Sequence, residues 1–343
     1  MNFTNISLLV ILVTVLLVPF LFKKIEKELE IFLFVMGCLA LSLTAQWNGS
    51  ILREALIEPV KITLAVLFAG ILFKFLQKPI ARNVGKALRL FGLRWFIFLV
   101  ITGLGILSSV ITAIVASLIL VEIISCLKLD RITETRIVVL ACFSIGLGAA
   151  ITPIGEPLST IVIAKLKGYP YQADFFFIAR VLGAHLIAGV MAFGVFGMLS
   201  VKPGHKKERG LLEDRREATQ DIFIRTGKVY LFIMALIFLG ASFKPVIDTF
   251  ISKIPYRGLY WINMTSAILD NATLASAQVG SSMHMAQIKA ALLGLLISGG
   301  MLIPGNIPNI IAAGKLKIKS SEWAKFGVPP GLVALVIYFL LLR

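Results

Sequence analysis

TSAILDNAT, Thr265 to Thr273, sets an acid beside an amide, Asp270 and Asn271, in a largely apolar stretch running from Leu259 to Met283. Polar and ionisable groups are costly in hydrocarbon unless something binds them, so the stretch reads as a membrane segment interrupted by a cation site. Two further interruptions resemble it. TPIGEPLST at Thr152 to Thr160 and PGNIPN at Pro304 to Asn309 each cut a segment that would otherwise read as a transmembrane helix. Proline removes a backbone donor and clashes with the preceding turn, which leaves carbonyls free at the break. A fourth polar cluster, Ser108, Ser109 and Thr112, interrupts the apolar run from Trp95 to Leu127.

Composition sets the environment. The 343 residues are 58% hydrophobic and 15% charged, with a mean hydropathy of +0.93, which excludes an ordinary soluble domain and indicates an all-α polytopic membrane protein. The net charge of +16 then reads as cytoplasmic loops and not as nucleic-acid binding. Cys38, Cys126 and Cys142 have no metal-type spacing. No basic run precedes the first apolar stretch and no small-residue cleavage site follows it, so a retained helix is expected there. No nucleophile, base and orienting group recur together in the apolar segments, which argues against an enzyme.

In chain order, residues 1–58 read as a scaffold helix pair, followed by a crossing at Val60 to Phe73 and a basic amphipathic connection from Lys74 to Arg94. That connection reads as a solvated cytoplasmic face, with an anionic lipid surface as the alternative. Trp95 to Leu127 would extend about 50 Å as one helix against a bilayer core of about 30 Å, so it must fold back. Basic residues flank both its ends, which favours a re-entrant hairpin. Leu259 to Met283 is read as a second hairpin. Lys and Arg gather in five alternate loops, 24 of the 34 in all, which places both termini outside.

The expected organisation is therefore an inverted-topology repeat, 59–200 and 229–343, joined by a cytoplasmic linker at 201–228. Each half contains a re-entrant hairpin and a discontinuous helix. IGEPLSTIVIAKL and PGNIPNIIAAGKL align without gaps, putting Gly155 on Gly305, Glu156 on Asn306 and Ser159 on Asn309. Such a repeat brings two hairpin tips and two helix breaks to the midplane, where alternating-access carriers bind substrate.

An oxygen-only set of hydroxyls, amides, carboxylates and freed carbonyls suits a sodium-type ion. Asp270 and Glu156 supply the charge, and a proton displaced by the entering cation makes the exchange an antiport. Asn271, Thr152 and Asn306 complete the expected site, with Ser108, Ser109, Thr112, Ser159, Thr160, Ser266, Thr273 and Asn309 as secondary members. The competing reading, that these groups only cap half-helices, weighs most on Ser109, Thr112, Ser159 and Thr160. Arg180 and His185 read as an interfacial and a packed residue, and Glu122 as solvated near the cytoplasmic interface.

Taken together, TSAILDNAT, TPIGEP and IPGNIPN resemble the ion transporter superfamily, above all its NhaD-type sodium/proton antiporters and the uncharacterised cation-transporter proteins related to them. The resemblance covers about Val60 to the C-terminus. It implies a carrier that rocks or slides, sodium or lithium and protons as partners, no cofactor beyond a bound sodium ion, a homodimer in membrane lipid, and Asp270, Asn271, Thr152, Glu156 and Asn306 at motif positions. The antiporters carry an acid and amide in the first hairpin too, where this chain has Val110-Ile111-Thr112-Ala113. A prokaryotic plasma membrane is the expected host. A sodium-coupled symporter, an anion carrier using half-helix N-termini, and an ion channel are the alternatives.

Overall fold

The computed structural model describes residues 3–22, 24–25, 28–201, 219–250 and 254–342. The described residues are helical, with no strand, and they form helices α1 (Phe3–Leu21), α2 (Leu29–Leu43), α3 (Gly49–Ile111), α4 (Ala113–Leu127), α5 (Arg131–Ala149), α6 (Pro157–Leu166), α7 (Phe177–Ser200), α8 (Thr219–Phe250), α9 (Tyr256–Ile262), α10 (Asn271–Gln278), α11 (Met285–Gly299), α12 (Ile307–Leu316) and α13 (Ser320–Leu341). Among them, five stretches are long and apolar enough to cross a membrane: Asn83–Ile111, Arg131–Ala149, Phe177–Ser200, Ile222–Phe243 and Ser320–Leu341. This is the architecture of an integral, polytopic membrane protein.

Two expectations about helix limits change. The crossing at Val60 to Phe73 and the basic connection after it are one continuous helix, α3, interrupted only by a kink at Gly92 with φ 70°. Charge sets the depth at which a segment lies, not whether it is helical, and Lys, Arg, Leu and Ala are all good helix formers. The chain turns where a residue without a Cβ can take the left-handed conformation. Helix α8 begins at Thr219, inside the stretch read as the linker. Residues 202–218 of that stretch lie outside those described.

The chain packs as two compact units, each assembled from separated segments. The first comprises 1–71, 217–254 and 272–278. Its core is Leu41, Ala55 and Phe238, with Phe34, Ile51 and Met234 against it. A Cβ on Gly37 would stand 3.1 Å from Ala235 O, so α2 and α8 meet backbone to backbone there. Lys228 and Glu28 pair at 2.7 Å, and Tyr230 Oη donates to Leu56 O at 2.9 Å.

The second unit comprises 72–216, 255–271 and 279–343. Its centre is α5, whose apolar span is 89% buried, whereas that of α13 is 22% buried and lies at the periphery. Helices α7 and α13 pack on α5, α9 packs on α11, and α4 packs on α12. Arg131 at the start of α5 holds Glu322 at 2.8 Å and donates to Lys317 O at 2.9 Å, joining α5 to the turn between α12 and α13. Tyr171 Oη donates to Met283 O, joining the turn before α7 to the one before α11.

Candidate functional site

Both helix breaks lie in the second unit. Helix α5 ends at Ala149 and α6 starts at Pro157; α11 ends at Gly299 and α12 starts at Ile307. The two restarting helices have the same geometry. Glu156 and Asn306 are their N-caps, both extended, at φ −153°, ψ 158° and φ −155°, ψ 146°. Each break is closed from the first turn of the new helix. Ser159 Oγ donates to Ala150 O at 2.8 Å, and Asn309 Nδ2 donates to Gly299 O and Leu302 O, both at 2.8 Å. These bonds take up carbonyls that the missing helical turn would leave unpaired.

The two turns predicted as hairpin tips meet these breaks. Helix α3 gives way to α4 at Thr112, with φ 74° and ψ 150°, a conformation costly for a residue bearing a branched Cβ. Contacts from the first break hold it: Ala113 N–H donates to Gly155 O at 2.8 Å, and Thr152 Oγ1 donates to Ser109 O. Ser108 Oγ reaches Gly105 O at 2.6 Å and Ile145 O at 3.0 Å, while Ser109 Oγ donates to Ile106 O at 2.7 Å. At the other turn, a short 3₁₀ segment, Asn263–Ala267, follows α9, and helix resumes at Asn271. Its Ser266 backbone lies against the second break, where a Cβ on Gly305 would stand 2.6 Å from Ser266 O.

Glu156, Asp270 and Asn271 come together from separate parts of the chain. Glu156 lies within electrostatic reach of Asp270 and beside the Asn271 side chain, whose amide nitrogen is buried without a hydrogen-bond partner. The three are 4%, 5% and 2% exposed, so both acids are shielded from bulk water. Glu156 Oε1 has no hydrogen-bond partner. Asn306, 2% exposed, is placed against α5 at Gly146, where a Cβ would stand 2.5 Å from its amide nitrogen. Asn271 also lies against the second break, its amide nitrogen 3.6 Å from a Cβ built on Gly299.

The remaining expected members divide into groups with structural employment and groups without. Thr112 accepts from Val115 N–H as an N-cap, and Thr160 Oγ1 donates to Pro153 O at 2.7 Å on an exposed face. Ser159 and the Asn309 amide nitrogen close the breaks. Ser266 Oγ and Asn309 Oδ1 are buried and unpaired. The side chain of Thr273 lies outside those described. Two groups with the same character went unnoticed in the sequence, Asn263 Oδ1 and Ser298 Oγ, each buried without a partner. Their signal was present: single polar residues in the apolar runs YWIN and LLISGG.

Three further residues remain, Glu122, Arg180 and His185. Glu122 is 7% exposed with Oε2 unpaired, so it is not the solvated residue expected; its helix, α4, packs on both α5 and α12. Arg180 pairs with Asp174 at 2.7 Å on an exposed surface, and this guanidinium holds the Asp174 carboxyl below the usual carboxylate range. The His185 backbone carbonyl accepts from Tyr338 Oη at 2.6 Å.

Fold and site together define a polytopic membrane protein, helical throughout its described residues, with two acids buried near helix breaks. Its sequence belongs to the family described as "Protein of unknown function (DUF1646)", which it matches over residues 5–343. Among curated proteins, no significant match is found.

Proposed function

We propose that the protein is a secondary transporter that exchanges a small inorganic cation, sodium or lithium, for protons by alternating access. One observation carries this reading: Glu156 and Asp270, both buried, lie within electrostatic reach of each other. Two like charges close together out of water are costly, and either a proton or a metal cation relieves that cost. Competition of the two for one pair of carboxylates is the chemical basis of exchange. Amide and hydroxyl oxygens of Asn271, Asn306, Thr152 and Ser266 suit the remaining ligand positions of a hard cation. An anion carrier would leave the half-helix N-termini to its substrate, whereas this chain sets a carboxyl at the start of α6 and a second one within electrostatic reach of it.

The matching N-cap geometries of Glu156 and Asn306, and the matching roles of Ser159 and Asn309, support an inverted repeat whose hairpins re-enter the membrane. In that reading both termini face outside the cytoplasm, and the similarity of the three motifs to the ion transporter superfamily has its physical basis in the two breaks.

The test is made in proteoliposomes loaded with a pH-sensitive dye, adding sodium, lithium, potassium or magnesium outside. Saturable, cation-dependent proton movement is expected in the wild type. It is lost in Asp270→Asn and in Glu156→Gln, and the double variant is no worse than either, because the pair acts as one unit. A wild-type protein that moves no protons with any cation, while remaining folded, overturns the proposal.

A further inference from the structure

Glu122 is the one charged residue in the apolar run from Trp95 to Leu127, and the exchange site does not use it. The turn that opens α4, Val110-Ile111-Thr112-Ala113, carries no acid. Further along the helix, Leu120 to Ile124 are all buried, more than a full turn, so no side of α4 at this level faces water. Glu122 Oε2 is itself buried and has no hydrogen-bond partner. An ionised carboxylate is costly in such a place, and binding a proton removes the cost. Stability alone would be served as well by an uncharged side chain of similar volume.

The position of Glu122 along α4 gives the carboxyl a use. The start of α4 is tied to the first helix break, where Ala113 N–H donates to Gly155 O at 2.8 Å, one residue before Glu156. From Ala113 to Glu122 the helix rises about 14 Å, and from Glu122 to Leu127 about 8 Å more. The charged turn from Lys128 to Arg131 follows. One helix therefore leads from the break that bears Glu156 to a charged turn, with a buried acid on the way.

The surroundings of Glu122 suit a proton better than a metal cation. A hard cation needs several oxygen ligands, and the neighbours Leu120, Val121, Ile123 and Ile124 have no side-chain oxygen. The ionisable residues of α5 are engaged elsewhere. Arg131 pairs with Glu322, Glu134 accepts from Leu129 N–H at 2.7 Å, Arg136 lies over the Phe326 ring at 5.1 Å, and Cys142 Sγ donates to Pro308 O at 3.7 Å. On α12 the ionisable residue is Lys315, in the last turn. We propose that Glu122 is a second proton-binding residue, which relays protons between the Glu156 and Asp270 pair and the charged turn after α4. This role rests on the exchange proposed above. In each step only a proton moves: one carboxyl gives it up and becomes a carboxylate, the other takes it up, and water carries it between them.

The experiment compares the full-length wild type, Glu122→Gln, Glu156→Gln and Asp270→Asn in proteoliposomes. Sodium-driven proton movement is read with an internal pH dye. Sodium-for-sodium exchange, which needs no net proton movement, is read with isotopic sodium at equal sodium and pH on both sides. Glu122→Gln is expected to slow proton movement at least about tenfold while sodium-for-sodium exchange stays near the wild-type rate. Glu156→Gln and Asp270→Asn lose both. The thermal midpoint of Glu122→Gln is no lower than that of the wild type, and Glu122→Leu is the second variant should the glutamine prevent folding. Infrared difference spectra, acid against alkaline, contain a protonated-carboxyl component that the Glu122 variant removes. Proton movement unchanged in the variant that folds, both activities reduced by the same factor, or a spectrum the variant leaves intact overturns this inference and leaves the exchange standing. A wild type that moves no protons overturns the exchange and the relay with it.

Discussion

Replacing Gly305 by Ala tests whether the second helix break and the turn before Asp270 are held in contact for the sake of the site. The added Cβ would stand 2.6 Å from both Gly299 O and Ser266 O, and both are backbone atoms that cannot rotate away. Ordinary contact begins at 3.4 Å, so each neighbour must retreat by 0.8 Å. The retreat falls on two segments at once: Gly299 carries the carbonyl bonded by Asn309, and Ser266 stands four residues before Asp270. Overpacking of this kind costs about 1–3 kcal/mol, and a displacement near 1 Å in a preorganised site costs about a hundredfold in rate. Transport per folded molecule is therefore expected to fall at least about tenfold in Gly305→Ala. Gly103→Ala is the matched control, because a Cβ there meets nothing within 4 Å and a helical Gly→Ala change gains up to about 1 kcal/mol. Proteoliposome exchange and thermal unfolding in detergent, run on both variants, give the comparison. Should Gly305→Ala match Gly103→Ala in both, the contact between break and turn has no bearing on the site, and the reasoning is refuted.

Two further outcomes follow from bonds around the site and at the surface. Asn309→Leu strands the carbonyls of Gly299 and Leu302, a loss of about 2–4 kcal/mol, whereas Ser159→Ala strands only that of Ala150 and costs about 1–2 kcal/mol; denaturant unfolding that reverses this order contradicts the assignment. Asp174 has a lowered folded pKa through its bond to Arg180, so its contribution is fully present above its unfolded value, about pH 4, and is lost as pH falls through the lower folded value. Both partners are exposed, so Asp174→Asn shifts the thermal midpoint slightly at neutral pH, and the difference from wild type vanishes in acid; a difference that grows in acid would contradict the pairing.

What could be read from the sequence was what proline, glycine and isolated polar residues dictate locally. TPIGEP and PGNIPN fall where α5 and α11 end, and Glu156 and Asn306, aligned by spacing alone, share one backbone conformation. Features that depend on tertiary contact were not legible. Nothing in a threonine announces a φ of 74°; Thr112 adopts it because Gly155 and Thr152 hold its neighbours. The length of α3 was hidden by its charges, which mark a change of medium and not an end of helix. Glu122 was expected in solvent because acids on helix arms usually are, and its burial follows from packing of α4 on α5 and α12. Asn263 and Ser298 were passed over because a single amide or hydroxyl in an apolar run is ordinary; only their unpaired oxygens set them apart.

The capping explanation for the polar residues is where structure adds most. This chain uses side-chain caps where a helix only needs starting: Asp130 accepts from Thr133 N–H for α5, and Thr112 accepts from Val115 N–H for α4. Glu156 and Asn306 occupy N-cap positions with extended backbones and acceptor side chains, yet neither caps its helix. Forgoing a cap costs about 1 kcal/mol at each position. Burying a carboxyl near a second carboxyl costs more. The two half-helix starts bear these costs together, and both side chains lie instead near groups brought from elsewhere in the chain, Glu156 within reach of Asp270 and beside Asn271, Asn306 at the gap left by Gly146. Stability alone would favour Ser or Asp caps at both starts and no acid pair. On the proposed function, the cation accounts for an arrangement disfavoured on those grounds, with one acid, Glu156, at the first break and the other, Asp270, on the turn that lies against the second.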